Sequence, residues 1–320
     1  MAPTDSVLAG WFEQHRTYLW GLSYRITGSA ADADDVVQET FIRACQHAPA
    51  SLDNPRQWLM RVAVNAGRDV LRRRRRRGYV GPWLPTPIDT DDDNTLPSYE
   101  PVVEGRTLEG RYDLMESVSL AFLQALEALT PTQRAVLVLR DVFDYSALEV
   151  GAALDLSEVN VRTIHHRARL AMEQYGRRRT FPSATSKARA NAVLIKFVEL
   201  LSAGDVPGIE RMLAADVKAV TDGGGEFTAA VHPIVGAARV AKFFGRLAAS
   251  RTGLTGVIIR SVNQSPAALF EFESPRGRRP PRLLLSIDVD ADGLIRDVWA
   301  IANSAKLAAM ETSSDGAQPT

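Results

Sequence analysis

Polar and basic side chains recur along one face of a helix predicted for residues 157–169. With consecutive residues about 100° apart, Val159, Thr163 and His166 fall on one arc of this helix. The candidates for DNA binding on or beside that arc are Asn160, Arg162, Thr163, His166 and Arg167. Arginine and asparagine side chains donate hydrogen bonds to base edges, and arginine also binds phosphate. His165 lies at the edge of the opposite, packed arc and is predicted to be partly buried.

Two short helices joined by a tight turn would position this face. Ser146 and Glu149 have the spacing of a capping box, which starts the first helix. That helix is predicted to end near Leu154, and Ser157 is predicted to cap the second. The pattern indicates a helix-turn-helix, which places its second helix in the DNA major groove. An ordinary helical hairpin with a solvated face is the alternative interpretation.

A second basic stripe lies in a helix predicted for residues 55–77, with Asn54 as its cap and Pro55 at its first position. Its members share one side of the helix at steps of three and four, and every position from 72 to 77 is arginine. The candidates for DNA contact are Arg61, Asn65, Arg68, Arg72 and Arg73. A run of like charge favours a polyanion such as the phosphate backbone. A frayed, solvated helix end or a non-specific basic tail is the alternative.

An acidic ridge is predicted on the preceding helix. Asp35, Gln38 and Glu39 share one side of it at spacings of three and four. A solvated face is the ordinary explanation for such a ridge. The core positions predicted on this helix are Val36, Val37, Phe41 and Ile42.

Composition limits the remaining possibilities. The 320 residues have room for two or three domains. The formal net charge is +0, so any nucleic-acid footprint depends on local segregation of charge. The single cysteine, Cys45, excludes an internal disulfide framework, suits a reducing compartment and is expected to be buried. Apolar runs fall short of membrane length, and Asp5 and Glu13 lie where a signal peptide would carry cations, so we expect a cytoplasmic protein.

The chain divides by composition. Residues 1–77 and 116–180 are helical, and residues 78–115 form an acidic linker rich in Pro and Gly. One hypothesis is that Asp89, Asp91, Asp92 and Asp93 lie against the arginine run when DNA is absent. Residues 185–307 alternate short strand-like segments with helices, which predicts a curved antiparallel sheet with helices on one side. Residues 308–320 are expected to be a disordered tail.

The two helical segments together resemble bacterial sigma factors of the extracytoplasmic-function type. The matching runs are DADDVVQETFIRA, NPRQWLMRVAVNAGRDVLRRRR, LTPTQRAVLVLRDV and SEVNVRTIHHRARL. The resemblance implies that residues 1–77 bind core RNA polymerase and the minus-10 promoter element, and that residues 116–180 bind the minus-35 element. It assigns Asp35, Gln38 and Glu39 to the polymerase surface and both basic faces to promoter DNA. It also implies that the loop from Ala48 to Asn54 holds a flipped base.

The third segment resembles the SnoaL-like cone fold that is fused to one subgroup of these sigma factors. The implied fold is multidomain, with two all-α sigma domains, a three- or four-helix bundle and a helix-turn-helix, followed by an α+β SnoaL-like domain. The subgroup motifs suggest a regulatory contact between domains. Their residues here are Trp83, Leu84, Pro85 and Pro87, then Asp222, Gly223, Gly224 and Gly225, then Asn303, Lys306 and Leu307. Glu226 replaces the usual lysine after the glycines, and the last motif keeps only its asparagine, lysine and leucine.

The expected function is therefore promoter-specific initiation by a sigma factor that acts as a monomer when free, with core RNA polymerase and promoter DNA as partners. Neither a cofactor, a metal nor a membrane partner is expected. One alternative is a helix-turn-helix regulator that never joins the polymerase. Another is a DNA-binding protein whose third domain is an enzyme using Asp216, Asp222 and His232. We expect no enzymatic activity, because nothing in the spacing of these three residues fixes a catalytic geometry.

Overall fold

A computed structural model of the chain describes residues 3–49, 52–90, 114, 116–178, 184–250, 253–273 and 279–310. These residues fall into two compact units. The first comprises Met1–Gly78 and Leu96–Arg179, and the second comprises Tyr79–Thr95 and Thr180–Thr320. The two predicted helical segments thus pack within one unit, and the start of the linker belongs to the other.

The first unit opens with three helices, α1 (Asp5–Thr27), α2 (Ala30–His47) and α3 (Pro55–Arg77). The Asn54 side chain accepts a hydrogen bond from the Gln57 amide, and Pro55 begins α3, which confirms the predicted start. Leu19, Leu22 and Leu59 are fully buried where these helices meet.

The second half of this unit contains the predicted helix-turn-helix. Its elements are two 3-10 turns (Glu116–Val118 and Leu126–Ala128), α4 (Leu120–Ala125), α5 (Pro131–Leu137), a π-helical turn (Val138–Val142), α6 (Ala147–Leu154), α7 (Glu158–Ala171) and α8 (Glu173–Arg178). Ser146 and Glu149 form both hydrogen bonds of the predicted capping box. Asp155 adopts a left-handed conformation with φ of 56°, which makes the turn tight, and the Ser157 side chain caps α7. These predictions are confirmed.

Two predictions about α2 are wrong. Ile42 is 51% exposed, and Cys45 is exposed instead of buried. The buried positions of α2 include Val36, Val37 and Ala44, so the packed arc passes to one side of residues 42 and 45. Val36 and Val37 are core residues as predicted.

The second unit is the α+β domain. Its helices are α9 (Ala184–Ala203), α10 (Val206–Met212), α11 (Ala237–Ser250) and α12 (Ser304–Leu307). Its strands are β1 (Leu213–Asp222), β2 (Ile234–Val235), β3 (Leu254–Val262), β4 (Ser265–Phe272), β5 (Arg282–Val289) and β6 (Ile295–Ile301). In the described part of the chain they form one sheet in the order β2-β1-β6-β5-β4-β3.

The sheet is mixed, so the expectation of an antiparallel sheet is wrong for the pairing of β1 with β6. β1 and β6 are parallel, with Ala219 opposite Val298, whereas the other neighbouring pairs are antiparallel. After β1 the chain passes through β2, α11, β3, β4 and β5 before it reaches β6. β6 then lies beside β1 and runs in the same direction. Phe197 of α9 and Phe244 of α11 are buried in the main core, with ring centroids 6.2 Å apart.

The chain remains packed beyond residue 307. Met310 is buried, and its carbonyl accepts a hydrogen bond of 2.9 Å from Arg282. The predicted disordered tail therefore begins too early, and its residues 311–320 lie outside the described residues. Among the described helices, none combines the length and apolar character needed to cross a membrane.

Candidate functional site

The predicted recognition face of α7 is open to solvent. Its members Asn160, Arg162, Thr163, His166 and Arg167 are all exposed. Val161 and Ala168, on the opposite side, are fully buried and hold the helix against the rest of the unit. Arg162 pairs with Glu158 at 2.5 Å, but its side chain stays 70% exposed. The fold thus gathers the five residues on one accessible surface, and their contact with DNA stays a prediction.

A buried carboxylate that the sequence reasoning missed anchors α7 from behind. Asp141, in the π-helical turn, accepts hydrogen bonds from His165 Nε2 at 2.9 Å and from Arg169 Nε at 2.9 Å. His165 is partly buried, as predicted. Burial alone would raise the pKa of Asp141, but the hydrogen bonds from His165 and Arg169 outweigh it and hold that pKa below its ordinary value.

We expect the stabilisation by Asp141 to depend on pH. Because the folded pKa is depressed, the contribution is complete above the unfolded value, near 3.8, and is lost as pH falls through the folded pKa. The free energy of unfolding of Asp141→Asn should fall below that of wild type at pH 7, and the gap should shrink below pH 3.8. Urea titrations from pH 3 to 7 measure this, with the exposed Asp155→Asn as control. A gap that stays constant with pH would contradict the assignment.

The basic stripe on α3 is only partly accessible. Arg61, Arg72 and Arg73 are exposed. By contrast, Asn65 donates a hydrogen bond of 3.1 Å to the Ala153 carbonyl of α6. Arg68 donates one of 3.0 Å to Thr132 Oγ1 of α5. The middle of the stripe is therefore covered by the helix-turn-helix half of the same unit.

The arginine run divides in the same way. Arg74 donates to the Thr27 carbonyl at 2.8 Å and pairs with Glu127 at 3.0 Å. Arg75 donates to the Leu129 carbonyl. Arg75 nevertheless stays exposed, as do Arg72, Arg73, Arg76 and Arg77. Within the run only Arg74 is half-buried, so the five exposed arginines are accessible to a polyanion.

Further contacts join the two halves of this unit. The buried Arg134 donates to the Ile26 carbonyl at 2.9 Å and to Glu127 at 2.5 Å. Arg25 Nε donates to Ser117 Oγ at 2.6 Å. The hydroxyls of Tyr18 and Tyr145 are hydrogen-bonded to each other. Polar groups on both halves are thus satisfied by their packing together.

The predicted acidic ridge borders a groove between α2 and α3. Asp35, Gln38 and Glu39 line a cavity of about 450 Å³ together with the exposed Ile42. Asp69 and Arg73 of α3 form its other wall. The exposure of Ile42, which the sequence prediction assigned to the core, adds an apolar contact to this polar groove.

Residues 79–90, hereafter the strap, run across the α+β domain. Leu84, Pro85, Thr86, Pro87 and Ile88 are buried there. A β-bridge joins Asp89 to Val262, the last residue of β3. The prediction of an extended linker is therefore wrong for residues 79–90, because they pack within the second unit.

Lys306 and Asp222 fasten the strap. Asp222 is 1% exposed and accepts hydrogen bonds from the Leu84 amide at 2.9 Å and the Tyr79 hydroxyl at 2.6 Å. Lys306 Nζ lies 2.7 Å from Asp222 Oδ2 and also donates to the Leu84 carbonyl. The same ammonium lies 4.2 Å from the centroid of the Trp83 ring, a cation–π contact. Lys306 and Asp222 therefore provide hydrogen-bond partners for each other and for the backbone of the strap.

The glycines of the second motif, residues 222–225, make room for this contact. Gly224 and Gly225 have φ of 63° and 75°, which other residues rarely adopt. A Cβ on Gly224 would lie 2.4 Å from Asn303 Nδ2, and one on Gly225 would lie 3.3 Å from Val80 of the strap. Gly223 and Leu307 are buried beside them. The three motif regions therefore contact one another within the second unit, and Glu226 accepts a hydrogen bond from Ser304 at 3.3 Å. Their regulatory role stays a prediction.

Asp89 has a different partner from the hypothesised one. It pairs with Arg260 of β3 at 2.5 Å, so the hypothesis that it lies against the arginine run is wrong. Asp91, Asp92 and Asp93 lie outside the described residues, as do Ala50 and Ser51 of the loop predicted to hold a flipped base.

The three residues considered for catalysis are not gathered. Asp222 is occupied by the strap, and Asp216 and His232 are exposed. An apolar cavity of about 320 Å³ lies between α9, α11 and the sheet, and its described lining includes Phe244, Phe270 and none of these three.

Each half of the helical unit matches a known protein family. Residues 11–77 match the family Sigma-70 region 2, and residues 119–172 match Sigma-70, region 4. A region 2 that precedes a helix-turn-helix region 4 defines a sigma-70-type initiation factor of RNA polymerase.

Similarity to individual proteins identifies the group of sigma factors to which the chain belongs. The chain is 30% identical over 317 residues to ECF RNA polymerase sigma factor SigJ of Mycobacterium tuberculosis, covering 97% of this chain and 96% of that protein. It is 33% identical over 231 residues to SigG of the same species, covering 64% of this chain and 58% of SigG. A crystal structure of M. tuberculosis SigJ covers 94% of this chain and 98% of that one, with a TM-score of 0.69 and 27% identity. The chain belongs to the extracytoplasmic-function (ECF) RNA polymerase sigma factors, as predicted. It binds core RNA polymerase and promoter DNA and directs promoter-specific initiation.

Proposed function

We propose that the exposed faces described above carry the contacts of initiation. The α7 face reads the minus-35 element, and the exposed arginines of α3 bind DNA near the minus-10 element. The groove lined by Asp35, Gln38 and Glu39 docks on the polymerase. The accessibility and charge of these surfaces support the assignment.

We further propose that the α+β domain restrains initiation through the strap. The observation that carries this is the buried contact of Lys306 with Asp222 and the Leu84 carbonyl. The strap directly follows α3, so its docking removes residues 79–90 from the tether between regions 2 and 4. A shorter free tether limits the separations that two linked binding modules can reach. In this proposal the α+β domain acts by keeping residues 79–90 docked on itself, and no catalytic role is proposed for it.

Promoter binding also requires regions 2 and 4 to separate in this proposal. Asn65 and Arg68 cannot contact DNA while they donate to Ala153 and Thr132. Separation frees both side chains, and release of the strap lengthens the tether that allows it. Because polymerase and promoter are in the cytoplasm, the proposed place of action is the cytoplasm.

Transcription with purified components tests the proposal. The full chain is mixed with core RNA polymerase and promoter fragments, and specific transcripts are measured for wild type and for Lys306→Met. We expect specific initiation in both cases and more transcript from Lys306→Met. Equal or lower output from the variant would contradict restraint by the strap. DNA binding without any specific transcript would favour the alternative of a regulator that does not join the polymerase.

Arg162→Ala is expected to weaken promoter binding by about 1–3 kcal/mol and to change the preferred upstream sequence, as expected for an arginine that pairs with a base edge. The fold should be unaffected, because the side chain is exposed and its pair with Glu158 lies at the surface. Binding to libraries of upstream elements measures the preference, and Arg177→Ala, another exposed arginine paired one turn back, is the control. A uniform loss on all sequences would reassign Arg162 to phosphate contact.

A further inference from the structure

Val159 is an exposed apolar residue at the beginning of the recognition helix. It is the second residue of α7, directly after Glu158, and its side chain is 72% exposed. The surrounding surface of the helix is polar or basic. A β-branched residue has a modest helix propensity, and this one buries little apolar area, so it contributes little to the stability of α7.

The position of Val159 places it with the proposed readers of the upstream element. Thr163 Oγ1 donates a hydrogen bond of 3.0 Å to the Val159 carbonyl, so the two residues lie one turn apart on the same side. Arg162 and His166 are exposed beside them. The N-terminal residues of a recognition helix are those that approach base edges in the major groove.

A small apolar group fits one feature of the major groove. Thymine presents a 5-methyl group there, and this methyl is recognised by apolar contact. We infer that Val159 is a specificity-determining residue that packs on a thymine 5-methyl group in the minus-35 element. The inference rests on the proposed function of the α7 face and adds apolar recognition to its hydrogen-bonding residues.

Removal of single methyl groups from the DNA tests this inference. A promoter fragment is first selected from a randomised upstream element with the full chain and core RNA polymerase. Each thymine of that element is then replaced in turn by deoxyuridine, which lacks only the methyl group. Wild type should lose about fourfold in affinity at one position, the factor expected for one buried methyl group. Val159→Ala should bind the thymine fragment about fourfold more weakly and be insensitive to deoxyuridine at that position.

Leu170→Ala is the matched control, because Leu170 is a 56% exposed apolar residue at the other end of the same helix. It should keep the deoxyuridine sensitivity of wild type. The inference is overturned if wild type is insensitive at every thymine or if Val159→Ala keeps the full sensitivity. It is also overturned if Val159→Ala weakens binding to core polymerase without DNA. Arg162→Ala separates the two proposals: a changed base preference in that variant leaves the recognition face standing when the valine inference fails.

Discussion

Replacing Lys306 with methionine is expected to lower the free energy of unfolding by about 3–5 kcal/mol, the usual cost of leaving one partner of a buried ion pair alone. Lys306 is 9% exposed and Asp222 is 1% exposed, so water cannot take over the lost contact. Methionine keeps much of the volume and the contact with the Trp83 ring but supplies no charge. Both the Asp222 carboxylate and the Leu84 carbonyl then lose a donor.

The strap itself reports this loss. The amides of Leu84, Ile88 and Thr90 are hydrogen-bonded to Asp222, Asn263 and the Ser261 carbonyl. Hydrogen exchange of a peptide covering residues 79–90 should therefore accelerate by about a hundredfold to a few thousandfold in Lys306→Met. Lys196→Met is the control, since Lys196 pairs with Glu199 on an exposed face of α9 and should change stability by no more than about 0.5 kcal/mol. Unchanged exchange of the strap in Lys306→Met would show that the ion pair does not hold it.

Local signals in the sequence were sufficient to predict the helix-turn-helix. The capping box at Ser146 and Glu149, the cap at Ser157 and the buried Val161 are interactions between residues close in the chain. Such patterns determine where a helix begins and which face it buries. The exposed face of α7 followed directly from them.

Contacts between distant residues were not predictable in the same way. Asp141 meets Arg169 only because the π-helical turn packs behind α7. The parallel pairing of β1 with β6 depends on the path of the intervening chain. The family resemblance suggested a regulatory role for the motifs around Trp83, Asp222 and Lys306, but the contact of Lys306 with the strap backbone became visible only in the fold.

The contacts by which the helix-turn-helix half covers α3 have the clearest consequence for activity. Thr132 and Tyr145 of region 4, and Ser117 just before it, hydrogen-bond to Arg68, Tyr18 and Arg25 of region 2. Ser117, Thr132 and Tyr145 do not belong to the proposed DNA-binding faces. The triple variant Ser117→Ala, Thr132→Ala and Tyr145→Phe therefore weakens the packing of the two regions and leaves the DNA-binding side chains intact.

We expect this triple variant to bind core polymerase and a promoter fragment more tightly than wild type. At about 1 kcal/mol for each hydrogen bond, and with the three sites acting independently, the gain approaches 3 kcal/mol, on the order of a hundredfold. The gain arises because wild type must break these bonds before Arg68 can reach DNA, whereas the variant has already lost them. Titration of core polymerase and labelled promoter with the full chain measures the difference.

Tyr175→Phe provides the matched control for this variant. The Tyr175 hydroxyl donates a hydrogen bond of 2.8 Å to Glu116, and both residues belong to the half of the first unit that contains region 4. Its loss costs stability without loosening region 4 from region 2, so promoter affinity should not rise. If the triple variant also unfolds more easily than wild type but gains no affinity, then the packing of the two regions does not compete with the promoter. Asn65 and Arg68 would in that case stabilise the folded unit without taking part in DNA recognition.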